Sequence, residues 1–305
     1  MIPPANIIGI DLGGTWIRLQ ALDVSGRPVW SLKQSTVSPE ALAPFLKRVW
    51  KKRGRPEHLA VASRGIWTVA ERSRLKKQLL PLATRVTVMS DVEAAWLAAF
   101  GYRTLTPTLS LNRKRVPFTT KPRKITPLPL LRGRARPTAG RAAGEGMGVL
   151  IISGTGSIAY ARDSDGCARR AGGLGPLLGD EGSAFWIGRA WLRGQAKTTN
   201  LPVRQVAALA TKAIRLAHQG DRNALRIIRE AQGALANLVA ESVTDMHFPK
   251  AVPVSWAGSV LNNPWFRVGW VRAVRRHPKL ARRTILWQEP RTDAATAIAY
   301  YALYG

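Results

Sequence analysis

The chain has 305 residues and carries 47 lysine or arginine residues against 18 aspartate or glutamate residues, a formal net charge of +29. A chain of this length can bury one large core or two medium ones. Its single cysteine, Cys167, excludes an internal disulfide and a cysteine-only metal site within one chain, and we expect it as a small apolar residue in a strand. The sequence lacks an apolar run of about 18 residues and a signal-peptide pattern at its start, so we expect a cytoplasmic protein without a membrane segment.

The positive charge is spread along the whole chain. Residues 103–141 contain eleven basic and no acidic residues, and the remainder still holds 36 basic against 18 acidic residues. Frequent prolines break any periodicity there, so we predict a basic, disordered insertion at 103–146. Nucleic-acid binding by this insertion is an alternative, but we favour a solvated insertion because Phe118 is its only aromatic residue available for base stacking.

Two similar patterns, one in each half, organise the chain. Each has an apolar run, a glycine-rich turn, a second apolar run and a glycine-containing hairpin turn; the four parts span 7–10, 11–15, 16–22 and 25–27 in the first half, and 149–152, 153–157, 158–161 and 164–166 in the second. Glycine supplies the positive φ that tight hairpins need. The repeat therefore predicts two related units that each begin with three antiparallel strands.

The two glycine-rich turns suit a polyphosphate, because glycine lets backbone N–H groups approach an anion and neighbouring hydroxyl groups add donors. Ordinary hairpins are the alternative interpretation for either turn alone. The candidate phosphate-binding residues are Gly13, Gly14 and Thr15 in the first turn and Gly154, Thr155, Gly156 and Ser157 in the second.

These turns resemble the paired phosphate motifs of the actin/hexokinase/Hsp70 ATPase superfamily. The stretch GGLGPLLGDEGSAFW at 172–186 is more specific, and it resembles the signature of the N-acetylglucosamine kinase and BadF/BadG/BcrA/BcrD ATPase family. This resemblance implies an α/β fold of two ribonuclease H-like domains, the actin-like ATPase fold, around an interdomain nucleotide cleft. The implied segments are an N-terminal domain at 1–102, the insertion at 103–146, a C-terminal domain at 147–290 and a terminal helix at 291–305 that returns to the N-terminal domain.

Asp91 is the candidate catalytic residue of the first half. Ser38 and Pro39 start a predicted helix at 39–53, a strand follows at 59–62, and Thr68 caps a second helix. A strand at 86–89 then delivers Ser90 and Asp91 to its C-terminal end, where Ser90 and Glu93 have the spacing of a capping box. Position alone also fits an aspartate that only complements a helix dipole. The resemblance implies that Asp91 accepts the proton of the attacking hydroxyl group.

The second half adds candidate residues at its loops. The resemblance places Asp180 near sugar and metal, and Gly258 and Ser259 in an adenosine motif after a strand. Further helices are expected at 202–218, 221–246, 263–276 and 291–304, with a strand at 284–288. The four histidines lack metal-ligand spacing, and we expect them at the surface or at helix ends: His58, His218, His247 and His277.

The resemblance implies ATP and Mg²⁺ as cofactors, with Asp11 and Asp180 as metal ligands, and a sugar or amino sugar as the acceptor. Candidate acceptor-binding residues are Asp180, Gly173 and Arg64. The resembled kinases have sugar-contacting asparagines where this chain has Ile158 and Val37, which leaves the acceptor open. A homodimer is compatible with the resemblance. The alternatives are a BadF-type ATPase activator, which the single cysteine opposes, and a nucleotide-binding module without turnover that contacts nucleic acid through its insertion.

Overall fold

The computed structural model describes residues 5–101, 146–176, 179–195 and 200–304, which form two compact units. Unit 1 holds the described residues up to 101 and those from 290 onward, and unit 2 holds the described residues at 146–289. The predicted insertion at 103–146 lies outside the described residues, except for Gly146. Within the described parts of the chain, none of the helices combines the length and apolarity that crossing a bilayer requires.

Unit 1 is a five-stranded sheet in the order β3-β2-β1-β4-β5, with helices on both faces. β1 pairs antiparallel with β2 and parallel with β4, and β4 pairs parallel with β5. Its elements are β1 Ile7–Leu12, β2 Trp16–Leu22, β3 Pro28–Ser35, α1 Pro39–Arg53, β4 His58–Ser63, α2 Val69–Leu79, a 3-10 turn Leu80–Leu82, β5 Arg85–Ser90, α3 Asp91–Phe100 and α8 Ala294–Tyr304.

Both faces of the unit 1 sheet are covered at its centre, which explains why every residue of β1 and β4 is buried. The apolar side of α1 closes one face through Leu42, Phe45 and Leu46. The last helix, α8, packs against β1 on the other face. A Cβ atom at Gly9 would lie 2.1 Å from the carbonyl oxygen of Ala295, so this close contact requires glycine.

Unit 2 repeats this design, with a five-stranded sheet in the order β10-β9-β6-β7-β8. β6 pairs antiparallel with β7 and parallel with β9, as β1 does with β2 and β4. Its elements are β6 Gly148–Ser153, β7 Ser157–Arg162, β8 Ala168–Gly172, α4 Ala184–Gly194, α5 Val203–His218, α6 Arg222–Ser242, β9 Val252–Ala257, α7 Pro264–Arg276, a 3-10 turn Pro278–Leu280 and β10 Ile285–Trp287. The prediction of an α/β fold with two related units is therefore confirmed.

The core of unit 2 lies between its sheet and the helices. Ile227 and Leu235 on α6 are fully buried, as are Phe266 and Trp270 on α7. The buried amide of Gln232 donates to the carbonyl oxygen of Phe266 at 3.0 Å, which joins the two helices. This apolar packing fixes the sheet whose first hairpin carries the second glycine-rich turn.

Three local expectations were wrong. His58 is buried in β4, where its Nε2 atom lies 2.9 Å from Thr87 Oγ1, because its strand is covered on both faces. Cys167 is exposed in the turn before β8 and is not a packed strand residue. Helix α6 ends at Ser242 and does not reach residue 246, since Asp245 adopts a left-handed φ of 56°.

Candidate functional site

The first glycine-rich turn joins β1 to β2 and places Asp11 beside Arg18. The turn is closed by a hydrogen bond of 3.1 Å from the Gly13 amide to the Trp16 carbonyl, and Thr36 Oγ1 donates to the Gly13 carbonyl at 2.7 Å. Asp11 and Arg18 are cross-strand partners, and Arg18 Nη1 donates to Asp11 Oδ2 at 2.9 Å. Burial raises the pKa of the Asp11 carboxyl, and the charge of Arg18 opposes that rise.

Asp91 stands at the point where β5 becomes α3, held by the predicted capping box. Ser90 Oγ accepts from the Glu93 amide at 3.2 Å, and Glu93 Oε2 accepts from the Ser90 amide at 2.9 Å. The same carboxylate oxygen also accepts from Arg72 Nη2 at 2.8 Å. Helix α2 therefore fixes the start of α3, and with it the backbone of Asp91.

The surroundings of Asp91 favour its protonated form more than water does. Burial is the largest cause and the nearby charge of Asp11 the second, and together they raise the pKa of Asp91 to about 6. Hydrogen bonds from the backbone and the charge of Arg64 act in the opposite direction. Arg64 Nη1 also lies 3.4 Å from the carbonyl oxygen of Gly14. Unit 1 thus brings together the first glycine turn, Asp11, Arg64 and Asp91.

The second glycine-rich turn, between β6 and β7, is enclosed by the loop that precedes α4. Ser153 Oγ donates to the carbonyl of Gly182 and Ser157 Oγ to that of Glu181, each at 2.8 Å. The Ala184 amide, in the first turn of α4, donates to the Gly154 carbonyl at 2.8 Å. These bonds give the turn a fixed shape within unit 2.

Asp180 lies directly on this turn. Its Oδ1 atom accepts from the Ser157 amide at 3.3 Å, and a Cβ atom at Gly156 would come within 2.9 Å of Oδ2. Burial is the largest cause raising the pKa of Asp180, which is only 7% exposed. A buried carboxylate against a predicted phosphate turn suits a site where a cation balances its charge.

Two further predicted residues adjoin the same turn. The Gly173 amide donates to the Ser157 carbonyl at 2.9 Å, and a Cβ atom at Gly173 would meet Ile158 Cδ1 at 2.7 Å. A Cβ atom at Gly258 would lie 2.2 Å from the Ser153 carbonyl oxygen. Unit 2 therefore brings together the second glycine turn, Asp180, Gly173 and Gly258, whereas Ser259 is exposed beside them.

The predicted metal ligands fit a magnesium ion in their chemistry. Mg²⁺ prefers oxygen ligands, keeps several waters and needs only one or two protein carboxylates. Asp11 and Asp180 each offer a buried carboxylate beside a glycine turn of their own unit. Among the described residues there is no cluster of three or more acidic, histidine or cysteine side chains that would form a larger metal site.

Arg18 and Arg72 are neighbours of the site that sequence reasoning missed. The position of Arg18 opposite Asp11 could have been predicted from the sequence, because a tight turn at 13–15 fixes the register of the hairpin. The contact of Arg72 with Glu93 joins two helices and had no local signal. Each arginine binds one acidic residue of unit 1: Arg18 binds Asp11, and Arg72 binds Glu93.

The two sheets have one topology, and each has a glycine turn in its first hairpin with a buried aspartate beside that turn. This arrangement defines an α/β fold of the actin-like ATPase class. Residues 135–272 match the family model of the BadF/BadG/BcrA/BcrD ATPase family. The predicted resemblance to this family and to the N-acetylglucosamine kinases is confirmed.

The two curated relatives that the chain matches are named as sugar kinases. An N-acetylmuramic acid/N-acetylglucosamine kinase of Clostridium acetobutylicum is 29% identical over 150 residues, which are 38% of this chain and 49% of the relative. An N-acetyl-D-glucosamine kinase of Dictyostelium discoideum is 50% identical over 50 residues, 16% of each chain. The chain thus spans about half the length of the first relative and a sixth of the second.

Solved structures share this fold. A proposed N-acetylglucosamine kinase of Chromobacterium violaceum has a TM-score of 0.64 at 19% identity, with 99% of both chains covered. A proposed N-acetylmannosamine kinase of Listeria monocytogenes has a TM-score of 0.65 at 12% identity, covering 97% of this chain and 98% of the neighbour. The ROK hexokinase of Thermus thermophilus has a TM-score of 0.58 at 18% identity, with 97% of both chains covered.

Proposed function

We propose that this protein is a kinase that transfers the terminal phosphoryl group of ATP to a hydroxyl group of N-acetylglucosamine, glucosamine or a related sugar. The observation that carries the proposal is Asp91, a half-buried carboxyl at a strand end with a pKa of about 6, within the electrostatic field of Asp11 beside the first glycine turn. A general base works best when its pKa lies near the working pH. The kinase names of the curated relatives support the same reaction class.

In this proposal Asp91 is the catalytic base. At neutral pH its carboxylate is mostly ionised, so it accepts the proton of the acceptor hydroxyl group as that oxygen attacks the terminal phosphorus of ATP. The bond between that phosphorus and the bridging oxygen breaks, and ADP leaves. Phosphoryl transfer depends mainly on positioning and on charge neutralisation, so the fixed backbone of Asp91 matters as much as its basicity.

The glycine turns and their aspartates would bind the nucleotide. The turn at 13–15 and the turn at 154–157 would hold phosphate oxygens with backbone N–H groups, while Gly258 and Ser259 would lie against the adenosine. Asp11 and Asp180 would each offer a carboxylate oxygen to Mg²⁺, which supplies positive charge to the phosphates when bound. Arg64, beside Gly14 and within the electrostatic field of Asp91, would contact the acceptor or the transferring group.

The acceptor side of the proposal rests on Gly173 and Ile158. These residues touch at the edge of the second turn, and Ile158 presents an apolar side chain where the resembled kinases have an asparagine. The Ile158 side chain is only 8% exposed and cannot replace the hydrogen bonds of an asparagine, so an acceptor would lose that contact here. The sugar panel below therefore decides which acceptor is used.

The test is ADP release from Mg-ATP with a panel of sugars, comparing the native protein with Asp91→Asn. A sugar-dependent rate should fall by about 10²- to 10⁴-fold in the variant. Asp245→Asn is the matched control, because Asp245 is exposed in unit 2 and asparagine tolerates its left-handed φ of 56°. Sugar-dependent release that survives in Asp91→Asn, or none in the native protein, would overturn the proposal.

A second candidate is an ATPase that acts without a sugar acceptor, because the family model that matches residues 135–272 is that of an ATPase family. In that case ATP turnover should be the same with and without every sugar, and Asp91→Asn should retain it. The same assay therefore separates the two candidates.

A further inference from the structure

Three charged residues form one row across the first three strands of unit 1. Asp11 on β1 is the register partner of Arg18 on β2, and Arg18 is the register partner of Lys33 on β3. Register partners on neighbouring antiparallel strands project from the same face of the sheet. Asp11, Arg18 and Lys33 therefore share one face, and we call them the charged row.

The charged row contains more positive than negative charge. Arg18 Nη1 is bound to Asp11 at 2.9 Å, and its side chain is 40% exposed, which leaves other guanidinium donors facing solvent. Lys33 is exposed and has no acidic partner among the residues that the structure describes. Like charges directly opposite each other on a sheet are destabilising. The row therefore carries its excess positive charge at the Arg18 and Lys33 end, whereas the carboxylates of Asp91 and Asp293 act on Asp11 at the other end.

The charged row lies beside the first glycine turn. Lys33 Nζ sits 4.8 Å from the centre of the Trp16 ring, and Trp16 is the residue that directly follows the turn. Trp16 remains 43% exposed. Helix α8 covers this face at Gly9, two residues before Asp11, and the ring of Trp16 marks the uncovered end.

We propose that Arg18 and Lys33 form an anion subsite beside Asp11, which binds a carboxylate or a phosphate group. A guanidinium group offers parallel N–H donors that match either anion, and an ammonium group adds a mobile point charge. The anion belongs to the phosphates of the nucleotide or to an acidic sugar acceptor. The assignment of the anion to the nucleotide or to the acceptor rests on the proposed function, whereas the existence of the subsite does not.

The test is titration calorimetry on the full chain with Lys33→Gln, which removes the unpaired charge and leaves the ion pair of Asp11 intact. The probes are pyrophosphate, N-acetylglucosamine and the 3-O-lactyl ether of N-acetylglucosamine, which adds one carboxylate. Lys47→Gln is the matched control, because Lys47 is also exposed in unit 1 but lies on α1. Lys33→Arg keeps the charge and should restore binding.

We expect the dissociation constant of at least one anionic probe to rise about tenfold in Lys33→Gln. It should stay within about twofold in Lys47→Gln and Lys33→Arg, and the neutral sugar should bind alike to all four proteins. An effect on pyrophosphate assigns the subsite to the nucleotide, and an effect on the lactyl ether alone assigns it to the acceptor.

The proposal is overturned if the native chain binds neither anion, if Lys33→Gln binds both as the native chain does, or if Lys47→Gln weakens them equally. The last result would mean that net charge alone attracts the anions. Because binding is measured without turnover, anion binding that persists in a protein without kinase activity would contradict the proposed function and leave the subsite standing.

Discussion

The acid limb of the pH profile should report the ionisation of Asp91. Its pKa is raised from an ordinary value of 3.8 to about 6, chiefly by burial. A base with that pKa is about nine-tenths ionised at pH 7 and about one-tenth ionised at pH 5. We therefore expect kcat/KM for the sugar to fall about tenfold between pH 7 and pH 5. If the pKa of Asp91 kept its ordinary value, kcat/KM would fall by less than about a tenth over the same interval.

Removing the charge of Arg64 should move this limb in a known direction. Arg64 lowers the pKa of Asp91, so Arg64→Met should raise that pKa and shift the midpoint of the limb to higher pH. The residual rate of the variant, relative to its own plateau, should then be lower than that of the native protein at pH 6. Arg74→Met is the control, because Arg74 is exposed on the same unit and its charge acts on Glu71.

The assay is initial ADP release at subsaturating sugar from pH 4.5 to about 9, at constant ionic strength, because kcat/KM follows the ionisation of the free enzyme. Circular dichroism at each pH confirms that unit 1 stays folded. A midpoint near pH 4, or one that Arg64→Met leaves in place, would refute the electrostatic reasoning about Asp91.

Three further outcomes are expected. Asp91→Asn should raise the free energy of unfolding in urea at pH 7 by up to about 3 kcal/mol, because a pKa raised on folding means that the ionised carboxylate destabilises the folded state above about pH 6. This gain should vanish below about pH 3.8, where the carboxyl is protonated in the folded and unfolded states alike. Gly156→Ala should raise KM for ATP about tenfold, because its Cβ would lie 2.9 Å from Asp180 Oδ2. Gly154→Ala should raise it less, because its Cβ has no described contact closer than 3.9 Å, and equal effects of the two variants would contradict this argument. Arg72→Met should lower kcat several-fold with little change in KM and cost about 1 kcal/mol, because the carboxylate that caps α3 loses a donor at 2.8 Å; an unchanged kcat would argue against positioning from α2.

Local signals in the sequence were sufficient to predict most elements. Ser38 caps α1 as expected, with its Oγ atom accepting from the Ala41 amide at 3.3 Å, and the helix ends at Arg53 before Gly54. The capping box of Ser90 and Glu93 is also formed. Such signals act between residues within four positions of one another, so they form largely independently of how the rest of the chain folds.

Contacts between distant segments set the parts that sequence reasoning missed. His58 is buried because β4 is the central neighbour of β1, which no pattern around residue 58 indicates. Arg72 reaches Glu93 across 21 positions of sequence. The candidate site combines both kinds of information: glycines and capping residues are readable one by one, whereas the pKa of Asp91 depends on burial and on Asp11, which lies 80 positions earlier.

Asp180 is the residue at which local preference and the observed structure disagree most. Its φ of 62° is in the left-handed region, which costs a residue with a Cβ atom about 1 kcal/mol, and its carboxyl is buried against the backbone of the second turn. Glycine would adopt this φ without strain, as Gly173 and Gly182 do on either side. Strain and burial both oppose an aspartate here, so packing alone does not account for it. A cation on that carboxylate would supply the missing stabilisation, which is the role we propose for Asp180.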